Sequence, residues 1–476
     1  MRRVGHEERA DGRPRRRDAV RAAGTSSVAL VVRALVLLGL ILRAGRLWAR
    51  LRLAHRGVWP IAEGESERRL HDFAVRFVDV ATRFRAGLIK LGQVASLRVE
   101  VLPESLTREL ARLQDRVEPH PFEEIAARIE SEYGEPWDAR LAELSRRPLA
   151  AASLGQVHEA RTPDGRRLAL KVLYPGIERS VAVDLAMARL ALWLFDFVTV
   201  GDLREVHRQL RDSIRGEMDY LREGRAAEEV AHNLAADPAL WAHLRVPAID
   251  WKLTTRRVLA MEFIDGVKIN DVEGVALRGV SREDLVARAS RAFLHMMFRD
   301  GFFHCDPHPG NLIVDGDGRI AIIDFGMNER LEPGVLAAVR DHLRASVLRD
   351  PRLFAQSLVD AGAIRPADAG VAREIAELAF EPALYNLTPS EVATIDFAAY
   401  FGRMRGHLDR LETFRIPPGI VMWSRALSIL YALVVELAPG IRPLELFGPY
   451  VMQFLQGPVP TPGAKPTAAP VGSTPA

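Results

Sequence analysis

One stretch of the sequence, residues 298–327 (FRDGFFHCDPHPGNLIVDGDGRIAIIDFGM), constrains the fold more than any other. It contains two short apolar runs joined by the turn Asp315-Gly-Asp-Gly318, a pattern that predicts a β-hairpin. The hairpin places Asn311 near the start of one strand and Asp324 at the end of the other. We therefore expect two oxygen-bearing side chains, thirteen residues apart in sequence, to meet at one end of the hairpin.

The side chains in this stretch indicate phosphate chemistry. Asp306, Asn311 and Asp324 offer only oxygen ligands, which suit the hard cation Mg²⁺ and not zinc. In the protein-kinase pattern a catalytic-loop Asp orients the attacking group, while an Asn and the Asp of Asp-Phe-Gly hold Mg²⁺. The spacing here matches, with Asp324-Phe-Gly326 literal and His304-Cys-Asp306 in place of His-Arg-Asp. Each acid alone would be a turn former or a surface charge, but together they predict a kinase-like site.

Length and cysteine content limit the possible architectures. A chain of 476 residues exceeds the size at which one hydrophobic core keeps growing, so two or more folded units are expected. The single cysteine, Cys305, excludes an internal disulfide and any multi-cysteine zinc site. We expect Cys305 to be a small buried filler, and a redox-sensitive thiol beside Asp306 is the alternative.

The first 60 residues form a basic arm with an apolar centre. They carry fourteen Arg against four acidic residues, about +10, which leaves about −7 for the remainder. The apolar run in residues 27–43 is interrupted by Arg33 and falls short of the ~20 residues that a transmembrane helix needs. We expect a helix at the membrane interface, with Trp48 and Trp59 at headgroup depth and arginines on anionic lipid. The alternatives are a helix packed on the protein's own core and a true span.

A β-rich segment begins near residue 148 and contains the candidate nucleotide contacts. Lys171 lies in a strand with alternating apolar residues, as does the phosphate-binding Lys of a kinase small lobe. The run Met261-Glu-Phe-Ile264 stands where a kinase chain crosses between lobes, so Glu262 and Ile264 are expected to offer backbone groups to adenine. The loop before Lys171 takes the place of the Gly-rich lid but has only one glycine, and it consists of Ala150, Ala151, Ala152, Ser153, Leu154, Gly155, Gln156 and Val157.

Three acids precede the second half of the chain, namely Glu217, Asp219 and Glu223. If all three belong to one helix of ~3.6 residues per turn, no two of them share a face. We therefore expect separate roles for them, with a solvated helix face as the alternative for each.

These motifs together resemble the UbiB/AarF family of atypical, protein-kinase-like proteins, and the resemblance covers roughly residues 84–334. It rests on the KxGQ motif at Lys90–Gln93 with SLR, LP and LQD after it, the Ala-rich loop AAASLGQVH, Lys171, the ExD motif with Glu223, and HCDPHPGN with Asp324-Phe-Gly326. The separate segments stand in the order that the family has.

The resemblance implies roles for the matching residues. Lys171 would contact the α- and β-phosphates and pair with Glu223. The catalytic-loop aspartate would be Asp306, and Asn311 and Asp324 would be the Mg²⁺ ligands. From the helical extension, Lys90 would enter the active site and pair with Glu217 of the ExD motif, which also holds Asp219, with Gln93 beside it.

We therefore predict an α+β, bilobal protein-kinase-like fold with a helical N-terminal KxGQ extension. No C-terminal apolar run is expected to reach spanning length. The predicted domains are the basic arm with a membrane-associating helix (1–60), the KxGQ extension (66–145), the N-lobe with inserted helices (146–264), the C-lobe (265–455) and a disordered tail (456–476).

The predicted function is binding of ATP or ADP with Mg²⁺ and slow ATP hydrolysis on the cytoplasmic side of a membrane. The chain would be peripheral or N-terminally anchored there, in contact with anionic lipids. The resemblance implies support of isoprenoid quinone or lipid metabolism through quinone precursors or quinone-biosynthesis enzymes, and it argues against protein-kinase activity in trans. The alternatives are a small-molecule or lipid kinase and a nucleotide-gated scaffold. A secretory signal and nucleic-acid binding are disfavoured, because the arm lacks a small-residue cleavage site and interleaved aromatics.

Overall fold

The computed structural model describes residues 26–55, 64–84, 87–89, 118–195, 203–380, 417–441 and 443–456, with the single positions 58, 407, 410 and 411. The chain divides into two compact units. The first comprises Met1–Tyr220 with Asp250–Met261, and the second comprises Leu221–Ile249 with Glu262–Ala476. Helices and antiparallel strands occur in both units, so the fold belongs to the predicted α+β class.

The helices, in chain order, are α1 (Ser27–His55), α2 (Glu65–Phe84), α3 (Phe122–Tyr133), α4 (Ile177–Phe195), α5 (Leu203–Glu217), α6 (Tyr220–Ala235), α7 (Pro238–Trp241), α8 (Val272–Ala276), α9 (Arg282–His295), α10 (Pro333–Leu348), α11 (Pro351–Asp360), α12 (Ala369–Ala379), α13 (Pro418–Leu437) and α14 (Pro443–Gln456). A π-helical turn, Met296–Asp300, follows α9 directly.

The strands are β1 (Glu143–Leu144), β2 (Ala150–Ala151), β3 (Gly155–Arg161), β4 (Arg167–Leu173), β5 (Leu244–Arg245), β6 (Val258–Glu262), β7 (Gly266–Lys268), β8 (Phe302–His304), β9 (Leu312–Asp315), β10 (Ile320–Ile322) and β11 (Asn328–Arg330).

The sheet of the first unit has the order β1-β3-β4-β6, with β2 added to β3. The turn predicted from Thr162-Pro-Asp-Gly165 joins β3 to β4, and Gly165 adopts a φ of 86° there, which suits glycine. The antiparallel register pairs Val157 with Lys171, so these two side chains lie on the same face of the sheet. Leu170 and Val172 on the opposite face are fully buried, which fixes the direction of Lys171.

Helix α1 packs against α2 and α4 within the first unit. The contact is a small apolar cluster that includes Leu37, Leu40, Val80 and Ala81. Arg33, the interruption in the apolar run, is not at the surface, because its guanidinium forms a buried ion pair with Asp184 of α4. One face of the helix therefore packs on the protein itself, as one of the three predicted alternatives states.

Two helices in the described part of the chain, Ser27–Ala54 and Gly419–Leu437, are long and apolar enough to cross a membrane. The first helix corrects the expectation that the N-terminal apolar segment is too short to span a membrane, because the helix continues beyond residue 43 to His55. The second corrects the expectation that no C-terminal run reaches spanning length. In the structure the second helix is α13, which buries Ala426, Leu430 and Val434 in the core of its own unit.

The second unit is built around one large apolar core. Val230 and Leu234 of α6 and Leu244 of β5 share this core with Phe293 of α9 and Val314 of β9. Residues 221–249 therefore pack with the second unit, whereas the predicted domains group them with the β-rich lobe. The strands form a sheet of order β5-β10-β9-β7 and a separate pair, β8 with β11.

Candidate active site

The predicted hairpin is present in the second unit and joins β9 to β10. Its register pairs Leu312 with Ile322. At the open end, the Ile323 N–H donates to the Asn311 carbonyl at 3.0 Å. At the closed end, Gly318 has a φ of 76° in the turn that starts at Asp315. The local sequence thus brings Asn311 to the strand end that immediately precedes Asp324.

The loop between β8 and β9 holds Asp306 through its backbone. The Asp306 N–H donates to His304 Nδ1 at 2.9 Å, and the Cys305 N–H donates to the Met327 carbonyl at 2.9 Å. The Asn311 amide nitrogen donates to the Asp306 carbonyl at 3.1 Å. This bond uses the nitrogen of the amide, so the side-chain oxygen of Asn311 is the atom that could coordinate a cation.

The Asp324-Phe325-Gly326 segment is fastened to helix α6. The Phe325 N–H donates to Glu223 Oε1 at 3.3 Å, and the Glu223 side chain is buried. One oxygen of Asp324, Oδ1, accepts the Gly326 N–H at 2.9 Å. Glu223 therefore anchors this segment from inside the second unit. Lys171, its predicted partner, belongs to the first unit, and that ion pair stays a prediction.

The donor set fits Mg²⁺ and does not resemble a multi-ligand protein cage. Among the described residues there is no group of three or more His, Cys, Asp or Glu side chains that could hold a metal. Mg²⁺ commonly takes one or two protein carboxylates and completes its shell with water and substrate phosphates. The amide oxygen of Asn311 and the carboxylate of Asp324 satisfy that smaller requirement.

The Ala-rich segment of the first unit is a tight β-turn rather than a Gly-rich lid. The Ala152 N–H donates to the Gly155 carbonyl at 2.8 Å and closes the turn between β2 and β3. Gly155 is required there, because a Cβ at this position would lie 2.4 Å from the Val172 carbonyl oxygen and 2.8 Å from Tyr220 Oη. The turn and the start of α6 are therefore in direct contact.

Tyr220 is a site residue that the sequence analysis missed. Its buried ring lies beneath the Lys171 ammonium, with 5.4 Å between the nitrogen and the ring centroid. A cation over a tyrosine face is attracted by the ring quadrupole, which holds Lys171 on the side of the sheet that it shares with Val157. The sequence feature that could have identified Tyr220 is its position directly after the ExD motif, between Asp219 and Glu223.

Comparison with known proteins decides the family. Residues 112–358, just over half of the chain, match the ABC1 atypical kinase-like domain. An uncharacterised Synechocystis protein is 30% identical over 405 residues, which cover 84% of this chain and 70% of that protein. The chain belongs to the ABC1/UbiB family of atypical kinase-like proteins. This confirms the predicted family and the kinase-like α+β fold.

Other relatives carry more informative names. A Marinobacter nauticus protein named "Probable protein kinase UbiB" is 36% identical over 58% of this chain. The chloroplast protein ACTIVITY OF BC1 COMPLEX KINASE 7 of Arabidopsis thaliana is 31% identical over 77% of it. The chain spans 52% of the length of each of these two relatives. Among solved structures, a Mycobacterium tuberculosis protein in complex with erythromycin covers 79% of the chain at 21% identity, with a TM-score of 0.47.

Gln156, predicted to contact the nucleotide, points the other way in this ABC1/UbiB protein. It pairs with Val172 across the sheet and so lies on the face opposite Lys171. Its side chain is fully buried, accepts the His120 N–H at 2.8 Å and lies 2.7 Å from His158 Nε2. The side chain therefore supports packing of the lobe, and only its backbone stays predicted to meet a nucleotide.

The three acids of the ExD segment do not share one helix, which corrects the single-helix premise. Helix α5 ends at Glu217 and α6 begins at Tyr220, with Asp219 in the break between them. Asp219 lies 3.6 Å from Arg256 Nε within the first unit. The helical geometry from which separate roles were inferred is therefore absent, and the roles of the three acids stay a prediction. The KxGQ residues Lys90 and Gln93 lie outside the described residues, so their pairing with this segment stays a prediction.

Glu262 and Ile264 belong to the second unit and follow Met261, the last residue of the first unit in this stretch of the chain. The Glu262 carboxylate pairs with Arg245 at 2.5 Å, and its backbone N–H donates to the Ala248 carbonyl at 2.8 Å. Ile264 is buried. The carbonyl of Glu262 is thus the group that could accept a hydrogen bond from an adenine amino group.

Two further observations concern the surroundings of Asp306. Cys305 is buried, and burial raises the pKa of its thiol well above the ordinary value, so the interpretation of Cys305 as a buried filler is favoured over a reactive thiolate.

Arg425 of α13 approaches Asp306, with Nη2 3.5 Å from Oδ1. No sequence signal pointed to Arg425, because it lies 119 residues from its partner.

Proposed function

We propose that this chain is a magnesium-dependent ATPase of the ABC1/UbiB family that works at a membrane surface. The observation that carries the proposal is the loop and hairpin of the second unit, which hold Asp306, Asn311 and Asp324 within one short segment, where hydrogen bonds with the backbone orient the side chains of Asn311 and Asp324. Such a set needs no further protein ligand to hold Mg²⁺ when a nucleotide supplies phosphate oxygens.

The predicted nucleotide and metal contacts have the following parts in this proposal. Lys171, fixed on its strand and over Tyr220, supplies a positive charge for the α- and β-phosphates. The turn that contains Gly155 offers backbone groups to the phosphates, and the carbonyl of Glu262 and the backbone of Ile264 meet the adenine. Asn311 and Asp324 hold Mg²⁺, which when bound neutralises the charge that develops on the phosphates.

Asp306 orients the group that attacks the terminal phosphate. Its carboxylate is 31% exposed, so a water molecule or a hydroxyl can reach it. Positioning and electrostatic stabilisation are the main sources of catalysis in phosphoryl transfer, and the loop around Asp306 provides the positioning. Lys90 and Gln93 are proposed to act with Glu217 and Asp219, as the family resemblance implies.

The membrane part of the proposal rests on helix α1. Its outward face exposes Val28, Val32, Leu35 and Leu42, and Arg43, Arg46 and Arg52, which follow, are exposed as well. An apolar stripe followed by arginines is the composition of a helix that lies at an anionic membrane surface. A cleft of about 360 Å³ between α1 and α2 also combines apolar side chains with arginines. It is lined by Val36, Gly39, Leu40, Leu42, Arg43, Arg46, Arg76 and Val80.

The physiological setting is proposed from the family. It is linked to ubiquinone biosynthesis, and one relative bears the name UbiB. A membrane-bound ATPase is suited to act on isoprenoid quinone precursors or on the enzymes that handle them, because such precursors are themselves dissolved in lipid. We therefore propose support of isoprenoid quinone or lipid metabolism as the role of hydrolysis.

The test is phosphate release from γ-labelled ATP with Mg²⁺, in the absence and presence of vesicles that contain anionic lipid. We expect the wild-type chain to release free phosphate and to do so faster on vesicles. Asp324→Asn should lower release by at least about a hundredfold, because a charge-stabilising group is lost. Asp317→Asn is the matched control, since this aspartate lies exposed in the turn of the same hairpin.

The same experiment separates the alternatives. Label on a small molecule or a lipid instead of free phosphate would establish a kinase and contradict the ATPase proposal. Nucleotide binding that depends on Asp324, without phosphate release or transfer, would establish the nucleotide-gated scaffold. Equal activity of Asp324→Asn and Asp317→Asn would overturn the assignment of the site itself.

A further inference from the structure

A cation from a distant helix stands at the catalytic loop. Arg425 on α13 places Nη2 3.5 Å from Oδ1 of Asp306, and its side chain is 16% exposed against 31% for the aspartate. The helix is firmly seated, because the buried Trp423 packs edge-on against Phe298 with 5.2 Å between ring centroids. Arg425 therefore projects from a rigid element and not from a mobile loop.

The catalytic loop itself has lost a charge that the kinase pattern carries. Where His-Arg-Asp has an arginine, this chain has Cys305, which is buried and uncharged. The position after Asp306 is Pro307. His308 uses its Nδ1 to accept the Gly310 N–H at 3.1 Å. The positive charge beside Asp306 therefore comes from Arg425, which is distant in sequence.

Burial of a guanidinium is costly unless an anion and hydrogen-bond acceptors compensate it. Nε of Arg425 is buried and has no hydrogen-bond partner among the described residues. The distance to Asp306 also exceeds the ~2.7–2.9 Å of a charge-assisted hydrogen bond. The two side chains therefore attract each other by charge without forming a short hydrogen bond. A pair that served only to stabilise the fold would be expected to have the shorter geometry.

We propose that Arg425 is a positioning residue of the active site, which holds the Asp306 carboxylate in the orientation needed to meet the attacking group. The inference rests on the proposed function, since it assigns a part in ATP hydrolysis. Arg425 acts through Asp306, so its loss should reduce turnover without weakening nucleotide binding.

The experiment compares Arg425→Gln, Arg425→Lys, Asp306→Asn and the double variant Asp306→Asn/Arg425→Gln. The control is Arg344→Gln, which removes an exposed arginine from α10 of the same unit. For each protein, kcat and KM for MgATP, the Kd for ADP and the thermal unfolding midpoint are measured. The chain is used at full length.

We expect Arg425→Gln to lower kcat about ten- to hundredfold at an unchanged ADP affinity, because a misplaced catalytic group costs rate and not binding. Arg425→Lys should recover part of the rate, and Arg344→Gln should match the wild type. In the Asp306→Asn background, Arg425→Gln should change kcat by less than about twofold, since the residue through which it acts is gone.

The proposal is overturned if Arg425→Gln is folded and keeps the wild-type kcat, or if the effects of the two substitutions multiply independently. Absence of phosphate release by the wild type would end the proposed ATPase function and with it the catalytic part of this inference, and the unfolding midpoints would then test only whether Arg425 and Asp306 interact. If they interact, Asp306→Asn lowers the thermal unfolding midpoint, because it leaves the charge of Arg425 uncompensated. In the double variant, Arg425→Gln removes that charge and raises the midpoint again. Additive shifts would show that the two side chains do not act on each other.

Discussion

Two arginine–aspartate pairs in this molecule are built differently. In the first unit, Arg33 meets Asp184 through two contacts of 2.6 Å, and the side chains are 6% and 0% exposed. In the second unit, Arg425 meets Asp306 through one contact of 3.5 Å, with 16% and 31% exposed. In the first pair both carboxylate oxygens of Asp184 accept a hydrogen bond from Arg33, which is the bidentate geometry. In the second pair Nε of Arg425 has no hydrogen-bond partner among the described residues. One pair therefore ties helix α1 to α4 out of contact with water, while the other lies where water reaches the carboxylate.

In the Arg33–Asp184 pair, burial of the carboxylate outweighs the effect of the arginine on its pKa. Burial raises the pKa of Asp184 to about 6, although Arg33 opposes the shift. The arginine also donates through Nη1 to the Phe84 carbonyl at 2.8 Å. A buried pair of this kind contributes little net stability relative to apolar residues, yet removal of one member leaves the other charge without compensation.

The largest effect is expected at this first pair. Arg33→Leu should lower the free energy of unfolding by about 3–5 kcal/mol at neutral pH, because the Asp184 carboxylate would be buried alone. The loss should be smaller at acidic pH, where a protonated carboxyl needs no cation. Urea titration measures both values.

Two variants control this prediction. The double variant Arg33→Leu/Asp184→Leu should recover most of the loss, whereas Arg43→Leu, at an exposed position of α1, should change stability little. If the single and double substitutions at Arg33 and Asp184 cost the same, the pair does not carry the stability assigned to it.

An intermediate effect is expected at a buried carboxylate that lacks an arginine fork. Asp300 lies 3.6 Å from His295 Nε2 at the end of the π-helical turn. Burial raises the pKa of Asp300 to about 7 and lowers the pKa of His295 to about 4. The histidine is therefore neutral at pH values where the aspartate ionises, and it cannot act as the missing cation.

The sign of the pH dependence follows from the raised pKa of Asp300. Its contribution to stability is present below its ordinary value of 3.8 and is lost as the pH rises through about 7. Asp300→Asn should therefore stabilise the protein by about 2–4 kcal/mol above that pH and hardly at all in acid. Thermal unfolding across the pH range measures this, with the exposed Asp317→Asn as control. A stability gain that is the same at every pH would contradict the assignment.

The smallest effect is expected at the loose pair. Asp306→Asn should lower the free energy of unfolding by about 1–2 kcal/mol, because the guanidinium of Arg425 retains some access to water. Asp184→Asn should cost clearly more, since Arg33 has almost none. Thermal unfolding of the two variants side by side tests the ranking. Equal losses would remove the distinction between an anchoring pair and an available one.

What the sequence could predict was local. The hairpin that presents Asn311 and Asp324 is encoded by a glycine-containing turn and two apolar runs, so it needed no knowledge of distant contacts. Arg33 and Asp184 are 151 residues apart, and Arg425 is 119 residues from Asp306. Helical periodicity predicts that Arg33, Asp184 and Arg425 lie on helices, but it does not tell which part of the chain each helix contacts.

The break between α5 and α6 was missed for a different reason. The helical spacing of apolar and polar residues continues through Glu217 and Tyr220, so periodicity alone predicts an unbroken helix. Gly216, just before the end of α5, was the available signal. The direction of the Gln156 side chain could not be predicted, because strand register sets the direction of a side chain and the loop sequence does not fix that register.

The Arg33–Asp184 pair has a mechanical consequence. Asp184 also accepts backbone hydrogen bonds from Gly87 and Leu88, and a Cβ at Gly87 would come within 2.8 Å of its carboxylate. The chain reaches Lys90 two residues after Leu88. Tension on α1, such as a bilayer pulling its outward face, would load this salt bridge and be transmitted as strain to the backbone just ahead of that lysine.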